Sequence, residues 1–125
     1  MLKLISTISV FLFSFSVFAE KLTIVSVNNG DMVRMQKLAS DFTKKNPGIE
    51  LDFQFMEENV LRQKVTLDIT NKGGAYDIMT IGMYEAPMWG EKGWLVPMND
   101  LPSSFDINDI LPAVRGGLSH NGVLY

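Results

Sequence analysis

The chain has 125 residues, a net charge of −3, one histidine and no cysteine. That length predicts one domain. The acidic balance speaks against nucleic acid, whose phosphates need clustered cations. Without cysteine there is no disulfide framework, no Cys-zinc or Fe–S site, and no acceptor for a thioether-linked lipid.

Residues 1–19 read as a signal peptide. Lys3 is the single charge before Glu20, an apolar run spans Leu4 to Phe18, and Val17-Phe18-Ala19 supplies the small residues of a cleavage site. A membrane anchor is the rival reading, but the run is short and Glu20-Lys21 already opens a strand-like pattern. The expected mature part is 20–125, soluble and exported to the periplasm.

Lys21–Val27 is β-branched and alternating, and predicts strand one. From Met32 the period changes. Met32, Met35, Leu38 and Phe42 recur at helical spacing as an expected core stripe, with Asp31 placed to start the helix and Asn46-Pro47-Gly48 to end it. Ile49–Met56 alternates again and predicts strand two. Asn59 can cap a second helix with Leu61, Val65 and Ile69 inward, ended by Gly73-Gly74. Asp77–Gly82 predicts strand three. A third helix carries Pro87 in its first turn and ends at Gly93, and Ile107–Arg115 suggests a fourth around Pro112. Asn121-Gly122 is a turn signal, and the Val-Leu-Tyr after it reads as a strand just beginning, so the chain is read as the front of a longer protein.

The order βαβαβα predicts an α/β fold with a parallel sheet. In strand order 2-1-3, ligands would sit at the carboxyl ends of strands one and three. The loops there are Asn28-Asn29-Gly30 and Met83-Tyr84-Glu85. Paired amides offer donors and acceptors, and Glu85 can accept from two hydroxyls. Tyr84, Trp89 and Trp94 offer flat apolar faces. This set suits a neutral, many-hydroxyl ligand such as a sugar or polyol. The plain alternative stays open: Asn-Asn-Gly-Asp is also ordinary turn chemistry, both tryptophans could cover the sheet, Glu57 and Glu58 suit a helix start, and Arg62 suits a salt bridge.

Catalytic and cofactor motifs are missing. There is no G-x-G-x-x-G or G-x-x-x-x-G-K-[ST], and Ser26 lacks the G-x-S-x-G elbow. His120 falls in Ser-His-Asn-Gly, a turn pattern. No enzyme activity, cofactor or metal is expected.

These residues carry a resemblance. The stretch KLTIVSVNNGDMVRMQKLASDFTKKNPGIEL, then GGAYDIMTIG, WGEKGWLVPMNDL and DILPAVRGGLSHNGVLY, resembles the solute-binding proteins of ABC carbohydrate importers. NNGDMVRMQ, EENVLRQKV and YDIMTIGMYE resemble the sorbitol/mannitol-binding branch. The resemblance implies an incomplete amino-terminal lobe of a type II periplasmic-binding-protein fold. It also implies a monomer that closes on a polyol or sugar and delivers it to an inner-membrane permease. Carried over residue by residue, it makes Asn28, Asn29, Tyr84, Glu85 and the Glu58–Arg62 segment the ligand contacts. An exported carbohydrate hydrolase and a receptor sensor domain are the alternatives.

Overall fold

The computed structural model describes residues 19–125. The signal-peptide assignment therefore lies, apart from Ala19, outside the described residues. Strand β1 (Glu20–Val27) runs parallel to β2 (Ile49–Met56), in register from Glu20 opposite Ile49 to Val27 opposite Met56. A short strand β3 (Ile78–Met79) pairs in parallel with the other edge of β1, Ile24 opposite Ile78 and Val25 opposite Met79. The sheet is parallel, as the alternation of strands and helices predicted, and its order is β2-β1-β3, the order on which the expected ligand site depends.

Helix α1 (Gly30–Lys45) starts two residues before Met32, because Asn29 and not Asp31 is its cap. Asn29 sits in extended backbone and its Oδ1 accepts from the Met32 N–H at 2.9 Å, satisfying one of the free donors of the first turn. Asp31 in the first turn and Lys44 and Lys45 in the last complement the helix dipole. Asn46 closes the helix, its Nδ2 donating to the Phe42 carbonyl at 2.9 Å, and Pro47 follows. The stripe expected to be core is not: α1 contributes no buried residue, and Met35, Leu38 and Phe42 are exposed.

Helix α2 (Glu58–Asn71) is likewise capped two residues earlier than expected, by Glu57 and not Asn59. The Glu57 carboxylate accepts from the N–H groups of Asn59 at 2.9 Å and Val60 at 3.2 Å. Lys72 takes the left-handed conformation that ends it, ahead of Gly73-Gly74. Leu61 and Val65 of α2 pack on Val25 of β1 and on Trp89, and these four buried residues form the core. Met56, Tyr76, Met79 and Trp94 pack around them. Because side chains alternate along a strand, Ile24 and Ser26 point to the opposite sheet face from Val25. Ser26 is fully buried there and its hydroxyl accepts from Thr80 Oγ1 at 3.1 Å.

Strand β3 is much shorter than the expected Asp77–Gly82. Asp77 uses its side chain, Oδ2 accepting from the Thr23 N–H at 2.8 Å, and after the Thr80 N–H to Val25 bond the chain turns off the ladder. It turns into helix α3 (Glu85–Glu91), which stops where Gly93 adopts φ +67°. The expected helix over Ile107–Arg115 is broken into a 3-10 turn, Ile107–Asp109, and a short helix α4 (Pro112–Gly117), and a further 3-10 turn, Ser103–Phe105, precedes them. Proline explains the break: it disfavours helical backbone at Leu111, which is extended, and then serves as the first residue of α4.

The chain closes with an antiparallel hairpin, β4 (Ser119–His120) and β5 (Val123–Leu124). Asn121 and Gly122 at its tip have φ +50° and +79°, the pattern of a two-residue hairpin turn. His120 is thus a strand residue beside the turn. The hairpin docks on α3, where the Tyr125 ring covers Gly90 so closely that a Cβ at position 90 would overlap it. We expect Gly90→Ala to destabilise the full-length protein by about 1–3 kcal/mol through overpacking. Urea unfolding reads this directly, and an unchanged midpoint would mean that the hairpin does not rest on α3.

Candidate ligand-binding cleft

Parallel pairing puts the carboxyl ends of β1 and β3 side by side. Asn28-Asn29, leaving β1, and Tyr84-Glu85, following β3, therefore lie at the same end of the sheet. The amino terminus of α2 comes to this end as well. Between these segments is a cleft of about 210 Å³ lined by Val27, Glu58, Leu61, Arg62, Val65, Thr66, Thr80, Ile81 and Glu85. Its floor is apolar, made by Val27, Leu61, Val65 and Ile81. Its charged edge is made by Glu58, Arg62 and Glu85.

Glu85 is the most buried group of that edge. Its side chain is only 15% exposed. Oε2 accepts from the Gly82 N–H at 3.0 Å, which folds the loop before α3 back on itself, and Oε1 accepts from Arg62 Nη1. Arg62 in turn reaches Glu58 one helical turn earlier, donating from Nε at 3.3 Å and Nη2 at 3.1 Å to the same carboxylate oxygen. The two carboxylates, Glu58 first and then Glu85, hold the guanidinium even more firmly protonated than an isolated arginine. One cation thus ties the starts of α2 and α3 together across the mouth of the cleft.

Three of the six residues expected at the site, Glu58, Arg62 and Glu85, line the cleft. Asn28, Asn29 and Tyr84 do not line it; they lie at the same sheet end, all exposed, and Tyr84 is 85% exposed. The tryptophans do not face the cleft as flat platforms. Trp89 is 2% exposed within the core, and Trp94 packs against it with ring centroids 6.3 Å apart. Thr66, Thr80 and the apolar floor were missed, because in sequence they are indistinguishable from helix surface and strand core. Their signal is positional: Thr80 and Ile81 are the residues that leave the sheet after β3. Among the described residues no group of three His, Cys, Asp or Glu could hold a metal ion, and no helix is long and apolar enough to cross a membrane.

Asn29 has two roles available, and two variants separate them. Asn29→Ala removes the helix cap and should destabilise by about 1 kcal/mol. Asn29→Asp keeps a capping oxygen but loses the amide donors, so it should keep stability and weaken only ligand binding. Thermal melting and calorimetry on both variants check this, and equal ligand affinity in Asn29→Asp and wild type would leave Asn29 a cap alone.

A cleft at the switch point of a parallel sheet, lined by groups that can hydrogen-bond hydroxyls, is where open α/β folds hold small molecules. The chain belongs to the bacterial extracellular solute-binding proteins, whose family model matches residues 28–119. It is 55% identical over 107 residues to the mannitol-binding protein of Pseudomonas aeruginosa, a match covering 86% of this chain and 24% of that protein. A crystal structure of an ABC transporter solute-binding protein from Agrobacterium vitis with bound D-mannitol is 60% identical, with a TM-score of 0.81 over 86% of this chain and 26% of that one. A second, from Agrobacterium radiobacter in complex with ribitol, is 26% identical with a TM-score of 0.73, covering 86% of this chain and 28% of that one. The chain therefore spans about a quarter of the length of these relatives. The fold is a parallel-sheet portion of a type II periplasmic binding protein.

Proposed function

We propose that the full-length protein is the substrate-binding component of an ABC importer, taking a sugar alcohol in the cleft and delivering it to an inner-membrane permease. D-mannitol is the ligand of choice. The observation that carries this reading is the cleft at the carboxyl ends of β1 and β3, on a chain 60% identical to a protein with bound D-mannitol.

Glu58 and Glu85 accept hydrogen bonds from ligand hydroxyls, and the remaining Arg62 N–H groups donate to hydroxyl oxygens. Asn28, Asn29 and Tyr84 join from the rim once the lobes close over the ligand. Tyr84 offers its ring to C–H faces. The protein works as a periplasmic monomer after loss of residues 1–19, carries no cofactor, and is not an enzyme. Incubating full-length protein with D-mannitol tests this: a binder takes up the polyol and returns it unchanged on denaturation. Absence of binding, or recovery of a converted product, would overturn the proposal.

A further inference from the structure

The charges on the cleft wall do not balance, and this has a consequence for which polyols can enter. Among the described residues, Glu58, Arg62 and Glu85 are the charged ones lining the cleft, two anions against one cation. The cation is committed. Arg62 spends Nε and Nη2 on Glu58 and Nη1 on Glu85, which leaves one N–H on each terminal nitrogen. An arginine in that state can donate to a neutral hydroxyl. It does not offer the bidentate, uncompensated face with which a guanidinium captures a carboxylate. Glu85, with a side chain only 15% exposed, lies on the charged edge of the cleft, where water screens it less than at an open surface.

We infer that this wall is a charge filter: it admits neutral and cationic polyols and rejects sugar acids of the same length, with Glu58 as the specificity-determining residue. The inference rests on the polyol reading of the cleft. Glu58 is the determinant because it is the more exposed carboxylate, 62% against 15% for Glu85, and the one that occupies two of the three Arg62 nitrogens. Without its charge, Arg62 would turn one face to the cleft and the wall would become neutral. An acid would then gain a partner where it now meets a repulsive carboxylate.

The test is calorimetry on full-length protein with D-mannitol, D-mannonate and 1-amino-1-deoxy-D-mannitol at pH 7. Wild type is expected to bind the acid at least about tenfold more weakly than the neutral polyol, as one unfavourable charge contact in a partly desolvated site requires. It should bind the amine at least as tightly as the acid. In Glu58→Gln, the ratio of mannitol to mannonate affinity should fall by about threefold or more, whatever happens to mannitol affinity itself. Raised salt should narrow the wild-type ratio as well. Equal wild-type affinity for acid and neutral polyol would overturn the inference, and so would an unchanged ratio in Glu58→Gln. Failure of wild type to bind D-mannitol at all would instead overturn the polyol reading beneath it.

Discussion

Replacing Trp89 with alanine is expected to lower the stability of the full-length protein by about 3–5 kcal/mol, the range for emptying a buried indole site. Trp89 is 2% exposed and is the one aromatic among the four buried residues of the core, in contact with the group formed by Val25, Leu61 and Val65. Neighbours cannot close the gap easily. β3 contributes only two ladder residues beside it, and Trp94 is held by its backbone bond to the Trp89 carbonyl at 2.9 Å and by Lys92 over its ring at 4.5 Å. Trp89 also anchors α3, whose first residue is Glu85. The variant should therefore lose polyol affinity as well as stability, whereas Trp89→Phe should keep most of both. Urea unfolding followed by fluorescence of the remaining tryptophan measures the first effect. A loss below about 1 kcal/mol, the range of surface substitutions, would mean that Trp89 is not a core residue.

Glu85→Gln is expected to weaken D-mannitol binding by about 1–3 kcal/mol, roughly 5- to 150-fold. The substitution keeps size but puts an amide donor where the carboxylate now meets two donors, the Gly82 N–H and Arg62. One of those contacts becomes donor against donor, and any ligand hydroxyl loses a charge-assisted acceptor. Stability should change less than in Trp89→Ala. Arg62 is 44% exposed, so water screens the ion pair's contribution to folding. Calorimetry showing wild-type affinity in Glu85→Gln would remove Glu85 from the binding surface.

The regular parts of this fold were legible because local and long-range signals agreed. Strand β2 falls on Ile49–Met56 as its alternation predicts, and Asn46-Pro47-Gly48 isolates it from α1. Parallel strands followed from the alternation of strands and helices, and they put residues 28–29 and 84–85 at one end of the sheet, where the 2-1-3 order makes the two loops neighbours. Where two neighbouring residues could do the same job, sequence did not decide. Asn29 and Asp31 can both cap a helix, as can Glu57 and Asn59, and the choice lies in which one the chain leaves extended. Helical periodicity marked Met35, Leu38 and Phe42 as an inner stripe, yet these residues stay exposed. A period states which side chains share a face, not what that face meets. The same limit applies inside the cleft. The Arg62–Glu85 contact joins residues 23 apart in sequence, and nothing local to either announces it. Composition left the tryptophans open between ligand platform and sheet cover. Packing turned Trp89 inward, because α2 presents Leu61 and Val65 to it.

The most direct measurement is the crystal structure of the full-length protein grown with D-mannitol. The account predicts the polyol against Val27, Glu58 and Glu85 at the carboxyl ends of β1 and β3, with its hydroxyls donating to the two carboxylates. A ligand bound elsewhere, with this cleft filled by water alone, would contradict it.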